Sequence, residues 1–205
     1  MPVSRRAFLI GLPLFAAGCA PTQTSFDFSH YSARADEKFP IGAIQLSNLD
    51  PQLRRREVPF DGDYKAGTIV VNTPERRLYY VLEGGRAIRY GIGVGREGLV
   101  LRGNAIVGRK AEWPSWTPTA NMIRRDRRNR KYASGVPGGP NNPLGARALY
   151  LYRNGRDTMF RIHGTNQPHT IGRAVSSGCI RMINQDVIDL YERVPVGTRV
   201  VVLQA

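Results

Sequence analysis

Hydrophobic positions change their spacing along the chain, and the changes divide it into segments. From Ala7 to Ala17 the run AFLIGLPLFAA is apolar and uncharged. From residue 20 to about 65 polar residues dominate without a clear period, with PTQTS near the start and Arg54-Arg55-Arg56 later. From Gly67 the period becomes two. GTIVVN, RRLYYVLE and RAIRYGIGVG read as three strands, with Leu78, Tyr80 and Leu82 alternating along the second. Ile88, Tyr90, Ile92 and Val94 alternate along the third, so each strand is expected to bury one face. Asn72-Thr73-Pro74-Glu75 and Gly84-Gly85 are the turn signals between them, and the expected arrangement is an antiparallel meander.

Residues 95 to about 145 read as loop, with Trp113-Pro114-Ser115-Trp116-Thr117-Pro118 and Gly138-Gly139-Pro140-Asn141-Asn142-Pro143 irregular by composition. Strand signals return at ALYLY (148–152) and TMFRIHG (158–164). One helix is expected at about 185–193, with Asn184 as its cap and Asp186 at its positive end. Val187, Ile188, Leu190 and Tyr191 give it an apolar face, and Pro195 and Gly197 stop it. RVVVL (199–203) closes the chain as a buried strand.

Composition narrows the class. At about 150 residues per domain, 205 residues make one domain plus an extension. An apolar fraction of 41% supports a core but not a polytopic membrane protein, and 22 Gly with 14 Pro lean toward β structure. Two cysteines exclude a disulfide-rich scaffold and a four-cysteine zinc module.

Charge adds a question. Thirty basic residues against 16 acidic ones give a formal +14, and only Lys38, Lys65, Lys110 and Lys131 are lysines. The densest run is Arg124-Arg125-Asp126-Arg127-Arg128-Asn129-Arg130-Lys131, either a solvated surface loop or a docking patch for a polyanion. No zinc-finger spacing or aromatic RNA-binding motif accompanies it, so nucleic acid is not the expected partner.

The first eighteen residues read as an export signal. Arg5 and Arg6 precede the apolar run, which is too short to span a bilayer. Ser4-Arg5-Arg6-Ala7-Phe8-Leu9 resembles the twin-arginine export consensus. Ala16-Ala17-Gly18-Cys19 resembles the bacterial lipobox, with Ala16 where Leu is usual. The expectation is an exported, periplasmic chain held to the membrane by lipid on Cys19. Cleavage after residue 18 removes two arginines and leaves 28 minus 16, or +12. The chain then divides into 1–18 (signal), 19–65 (tether and extension) and 66–205 (the main domain).

The chemistry concentrates in IHGTNQPHTIGRAVSSGCIRM, residues 162–182. His163 ends a strand-like run, and Cys179 follows Ser176-Ser177-Gly178 sixteen residues later. A thiol is a useful nucleophile only as thiolate, and an adjacent imidazole can take its proton. Gly164 lets the chain turn after the histidine. Gly178 leaves room for a carbonyl to approach the thiol and peptide N–H groups to face an oxyanion. Residue types alone leave alternatives open: a buried structural cysteine, a zinc site from His163, His169 and Cys179, or a Cys19–Cys179 disulfide, which lipidation of Cys19 would exclude.

HGT…IG…SSGCIRM, followed by DVIDLYERVPVGTRVVV, resembles the L,D-transpeptidase catalytic domain (YkuD domain) of bacterial cell-wall enzymes. GTIVVNTPERRLYYV, YGIGVG and NPLGARALYL add to the resemblance, which covers about residues 67–203. It implies a mainly β fold, a β-sandwich with one short helix after the cysteine and long loops over the cleft. It implies that Cys179 attacks the L,D-amide after the third residue of a peptidoglycan stem, releasing D-alanine and forming a thioester that an amine acceptor resolves. His163 is then the base, the Gly164 carbonyl orients its ring, and Arg181 binds a substrate carboxylate or buttresses the loop. Ser177 stands where some relatives have His, and GLVLRGN (98–104) where many have TPTG. Trp113, Trp116 and Tyr132 either line the cleft or form core beneath a loop. His169 flanks the cleft, and His30 lies in the extension away from it.

The implied partners are donor and acceptor stems, or an envelope protein as acceptor. No cofactor or metal is implied. Water as acceptor would make a carboxypeptidase or endopeptidase of the same apparatus, and a non-catalytic wall-binding lipoprotein is the reading from a different class.

Overall fold

The computed structural model describes residues 27–95, 101–176 and 178–204. Strand β1 (Arg56–Pro59) precedes β2 (Ile69–Asn72), β3 (Arg77–Leu82), β4 (Arg86–Gly91) and β5 (Val94–Gly95). There follow β6 (Gly103–Glu112), helix α1 (Ala120–Arg125), β7 (Arg147–Arg153) and β8 (Arg156–His163). The chain ends with β9 (Ala174–Ser176), β10 (Ile180–Arg181), helix α2 (Asn184–Arg193) and β11 (Arg199–Leu203). Nine strands form one mixed sheet in the order β1-β4-β3-β2-β11-β6-β7-β8-β10, and β5 pairs with β9 separately.

The meander is present: Ile69 pairs with Tyr80, and Tyr80 with Ile88, both antiparallel. RVVVL joins the two halves of the sheet, parallel to β2 and antiparallel to β6. Its three valines are all buried, as expected of a strand covered on both faces. Ile69, Leu78, Tyr90, Leu149, Ile162, Ile180 and Val202 come from distant places in the strand order yet share one core cluster with Val187 and Leu190 of α2. The sheet therefore wraps over its own face, and the fold is mainly β and sandwich-like. Full burial of each such aliphatic side chain contributes roughly 1.5–3 kcal/mol.

Three local expectations are corrected. Residues 95–145 are not simply loop, because β6 runs ten residues through the middle of the sheet. Its inward positions, Ala105 and Val107, are small or lone among Asn104, Gly108, Arg109 and Lys110, so the alternation is faint. At Gly108 the register slips, and a Cβ there would lie 2.3 Å from the Tyr152 ring. The run RAIRYGIGVG is two strands: β4 ends at Gly91, and β5 leaves to pair with β9. Helix α2 begins at Asn184, its N-cap is Ile183, and no side chain caps it.

The extension from residue 27 packs on the domain. Tyr31, Leu49 and Leu53 form a second core cluster with Ile171 and Ile183, and β1 pairs with β4 at the edge of the sheet. Arg147, 8% exposed, makes an ion pair of 2.8 Å with Glu37, also 8% exposed. Among the described residues no helix is long and apolar enough to cross a membrane. The export signal and Cys19 lie outside the described residues.

Candidate active site

Strands β8 and β10 run parallel, with Ile162 opposite Ile180 and His163 opposite Arg181. Ile162 and Ile180 both enter the main core. Since successive side chains alternate, Arg161, His163 and Arg181 share the opposite face, and Cys179 directly precedes β10. The Arg161 N–H of β8 lies within hydrogen-bonding reach of the Cys179 sulfur. The sixteen-residue spacing spans the connection, including β9, between the neighbouring strands β8 and β10.

His163 is 4% exposed, and its Nδ1 donates to the Gly164 carbonyl at 2.6 Å, which leaves Nε2 as the acceptor. Burial, and then the Arg181 charge, push the imidazole down to about 3, so the ring is neutral at pH 7. Its peptide is held on both sides: Met182 N–H donates to the His163 carbonyl at 2.8 Å, and Gly164 N–H to that of Arg147 at 3.0 Å.

Asn184 is a positioning residue that sequence reasoning misassigned. Its Oδ1 accepts from Ala146 N–H at 3.0 Å and Thr165 N–H at 3.1 Å, fixing the turn after the histidine. A Cβ on Gly164 would lie 2.2 Å from that oxygen. Gly164 is therefore required by close approach of Asn184. The signal available was an Asn two residues beyond Arg181-Met182, but a helix cap was the commoner meaning of that placement.

Cys179 is partly exposed, and its Sγ lies 4.0 Å from the Met159 carbonyl. Burial of the sulfur pushes the thiol up, while the Arg161 N–H and the charges of Arg161 and Arg181 pull it back in part. The resting pair is thus a neutral thiol and a neutral imidazole. Met159 has φ of 64°, and the β7–β8 register slips beside it, so a bulge aims its carbonyl toward the sulfur. Gly178 has φ of 129°, a conformation side-chain-bearing residues rarely adopt. Ser177 lies outside the described residues.

A cleft of about 750 Å³ opens at Arg181 and is lined by Trp116, Tyr132, Gln167, His169, Arg173 and residues of the 124–131 run. Trp116 and Tyr132 line it, but Trp113 does not. Trp113 is buried against Phe39, and its indole N–H donates to Glu37 at 3.2 Å. His30 bonds the buried Asp186 at 2.8 Å, far from the cysteine in role. His163, His169 and Cys179 do not assemble as a three-ligand set.

A partly exposed thiol and a buried, oriented imidazole thus sit at the β8–β10 end of the sheet. The L,D-transpeptidase catalytic domain model (YkuD) matches residues 66–202, and the chain belongs to that family. The probable L,D-transpeptidase YbiS of Escherichia coli K12 is 43% identical over 169 residues, covering 80% of this chain and 51% of that protein. The chain spans about half the length of the curated relatives it matches. A Brucella melitensis crystal structure, described as a probable carnitine operon oxidoreductase, is 52% identical with a TM-score of 0.52, covering 76% of this chain and 96% of that one. L,D-transpeptidase 3 of Mycobacterium tuberculosis, at 15% identity and TM-score 0.50, covers 68% of this chain and 61% of its own, and shares the fold.

Proposed function

We propose that this chain is a peptidoglycan L,D-transpeptidase with Cys179 as nucleophile and His163 as base. The observation that supports the reading is the fixed tautomer: Gly164 O holds the Nδ1 proton, which leaves Nε2 free to accept the thiol proton of Cys179 in this reading. Cys179 Sγ attacks the carbonyl carbon of the L,D-amide after the third stem residue, and its proton passes to His163 Nε2. The bond to D-alanine breaks, the leaving amine takes that proton, and a thioester remains. An acceptor amine then gives its proton to Nε2 and attacks the thioester, and Cys179 regains a proton as it leaves. The backbone around Gly178 and Cys179 faces the developing oxyanion, and Arg181 meets a stem carboxylate. Because both partners rest neutral, proton transfer accompanies attack.

The acceptor in this reading is a second stem or an envelope protein. We further propose that the chain is exported and anchored by lipid on Cys19; mass analysis of the mature N-terminus tests this, and an unmodified N-terminus at Ala20 or Pro21 overturns it. Incubation with purified muropeptides, followed by mass analysis, separates cross-linking from trimming and from inactivity. Cys179→Ala and His163→Ala should each lower turnover by at least about a thousandfold without unfolding the protein, and the double variant should be little worse than either. Near-normal turnover by Cys179→Ala ends the assignment.

A further inference from the structure

The chemistry leaves one wall of the cleft unexplained. Residues 117–135 form a closed excursion between Trp116 and Val136, whose backbones exchange hydrogen bonds of 2.9 and 2.7 Å. The excursion is tied internally. Thr119 caps α1 by accepting from Met122 N–H, Asp126 caps the 3₁₀ turn Arg127–Tyr132 by accepting from Arg128 N–H, and Asn129 donates back to the Met122 carbonyl. It carries Arg124, Arg125, Arg127, Arg128, Arg130 and Lys131 against a single acid, Asp126.

These cations divide by direction. All six are exposed, but only Arg125, Arg128 and Lys131 line the cleft, and Arg124, Arg127 and Arg130 do not. Arg173 and Arg181 also line it. Five cations therefore surround about 750 Å³ with one carboxylate, and Arg128 already holds that carboxylate at 2.8 Å. Among the described residues, Arg125, Lys131, Arg173 and Arg181 have no carboxylate partner. The Nε of Arg181 is buried without a hydrogen-bond partner.

Like charges gathered in a concave space repel one another until an anion enters, and the same walls concentrate their field on it. The volume is that of a ligand pocket, roughly 300–1,000 Å³. A bilayer surface cannot follow the walls inward, but an extended peptide bearing several carboxylates can. Neither Cys179 nor His163 lines the cleft, but Arg181 at its margin pairs with His163 on the neighbouring strand, so an anion bound there sits beside the reacting groups, not on them. We propose that this cleft is a carboxylate-reading subsite that selects peptide stems with free carboxylates over stems whose carboxylates are amidated. This rests on the transpeptidase reading and adds the specificity of that site.

The test uses two muropeptide donors that differ only in amidation of the stem carboxylates. The wild-type protein should prefer the free donor by about tenfold in kcat/KM for each carboxylate read, chiefly through KM, with the ratio shrinking as salt rises. The variant R125Q/R128Q/K131Q should bring the ratio below about threefold, since it removes most charge-assisted contacts. The variant R124Q/R127Q/R130Q removes equal charge from the same segment outside the cleft and should keep the ratio. Equal handling of both donors by the wild type, or equal loss in the two triple variants, overturns the subsite. Turnover of neither donor overturns the transpeptidase reading instead. Calorimetric binding of the same two donors to Cys179→Ala then decides the subsite, and equal affinities overturn it. Binding to phosphatidylglycerol vesicles that R125Q/R128Q/K131Q abolishes while donor preference persists overturns it in favour of a membrane surface.

Discussion

The N-terminal extension and the cleft wall are both arginine-bearing segments with little regular structure, yet their charges are disposed in opposite ways. In the extension and the elements beneath it, basic side chains meet carboxylates inside the fold. Glu37 pairs with Arg147 of β7, His30 with Asp186 of α2, and Arg55 with Asp189 of α2. In the wall, one carboxylate serves six cations, and three of those face open space. The difference teaches how to read a basic chain. A cation whose counter-charge lies within the fold holds the fold, and one without such a partner is placed for something that arrives. The extension braces α2, which begins three residues after Arg181, so the brace supports the site without entering it.

The sharpest way to break this contrast is Glu37→Gln. It leaves the buried Arg147 with only the longer 3.9 Å contact to the exposed Glu112, and breaking a buried pair costs about 3–5 kcal/mol. The indole of Trp113 keeps a neutral acceptor, so the loss isolates the ion pair. Denaturant unfolding should show the drop, with Tm falling roughly 10 °C. A change below about 1 kcal/mol would make the extension an accessory rather than a brace.

Asp189 gives the same contrast a pH signature. Burial raises its carboxyl, but hydrogen bonds from Arg193, Arg55 and Tyr90 win and bring it to about 2. The folded value lies below the unfolded value near 3.9, so the stabilisation is present above pH 4 and is lost as pH falls through about 2. Asp189→Asn should lose about 2 kcal/mol at pH 7, and the gap from wild type should close toward pH 2. A gap of constant size would assign the loss to shape instead of charge.

These two sites also mark where the sequence was legible. The meander, the closing strand and the Cys–His motif carry dense local signals: period-two alternation, an unbroken valine run and an ordered set of glycines about two reactive residues. The expected ring contact to Gly164 depends only on adjacent residues, and the structure has it. The brace was illegible because Glu37 and Arg147 lie 110 positions apart, and nothing local distinguishes a paired arginine from a solvated one. Strand β6 was hidden for a different reason: its register comes from β7 and β11 on either side, so few apolar residues suffice. Asn184 failed because a common local role, the helix cap, competed with a tertiary one.

Arg181 belongs to neither region and tests where the boundary runs. Its charge holds the imidazole down and lowers the thiol against burial. Arg181→Gln should therefore move both limbs of the kcat/KM profile upward in pH, the acid limb because His163 protonates more readily and the alkaline limb because Cys179 ionises less readily. The wild-type acid limb should lie well below the ordinary imidazole range near 6.5. Loss of rate with both limbs unmoved would make Arg181 a buttress of the loop.

The smallest expected effect is the most telling for the comparison. Substituting Arg125, Arg128 and Lys131 with glutamine should change stability by no more than about 0.5 kcal/mol per site, because exposed side chains without carboxylate partners lose little when truncated. Arg128 is the one member with an ion pair, and at 87% side-chain exposure that pair contributes little. Removing like charges from a shared cleft relieves repulsion, so the sign is expected to be neutral or slightly stabilising, most clearly at low salt. Binding to intact wall sacculi should weaken in the same variant, and the loss should fade as salt screens the field. Unfolding in urea and sacculus pelleting, run on one preparation across a salt series, read the two quantities together. A wall whose removal costs as much stability as Glu37→Gln, or whose sacculus binding ignores salt, would erase the distinction between charges that hold the fold and charges that await a ligand.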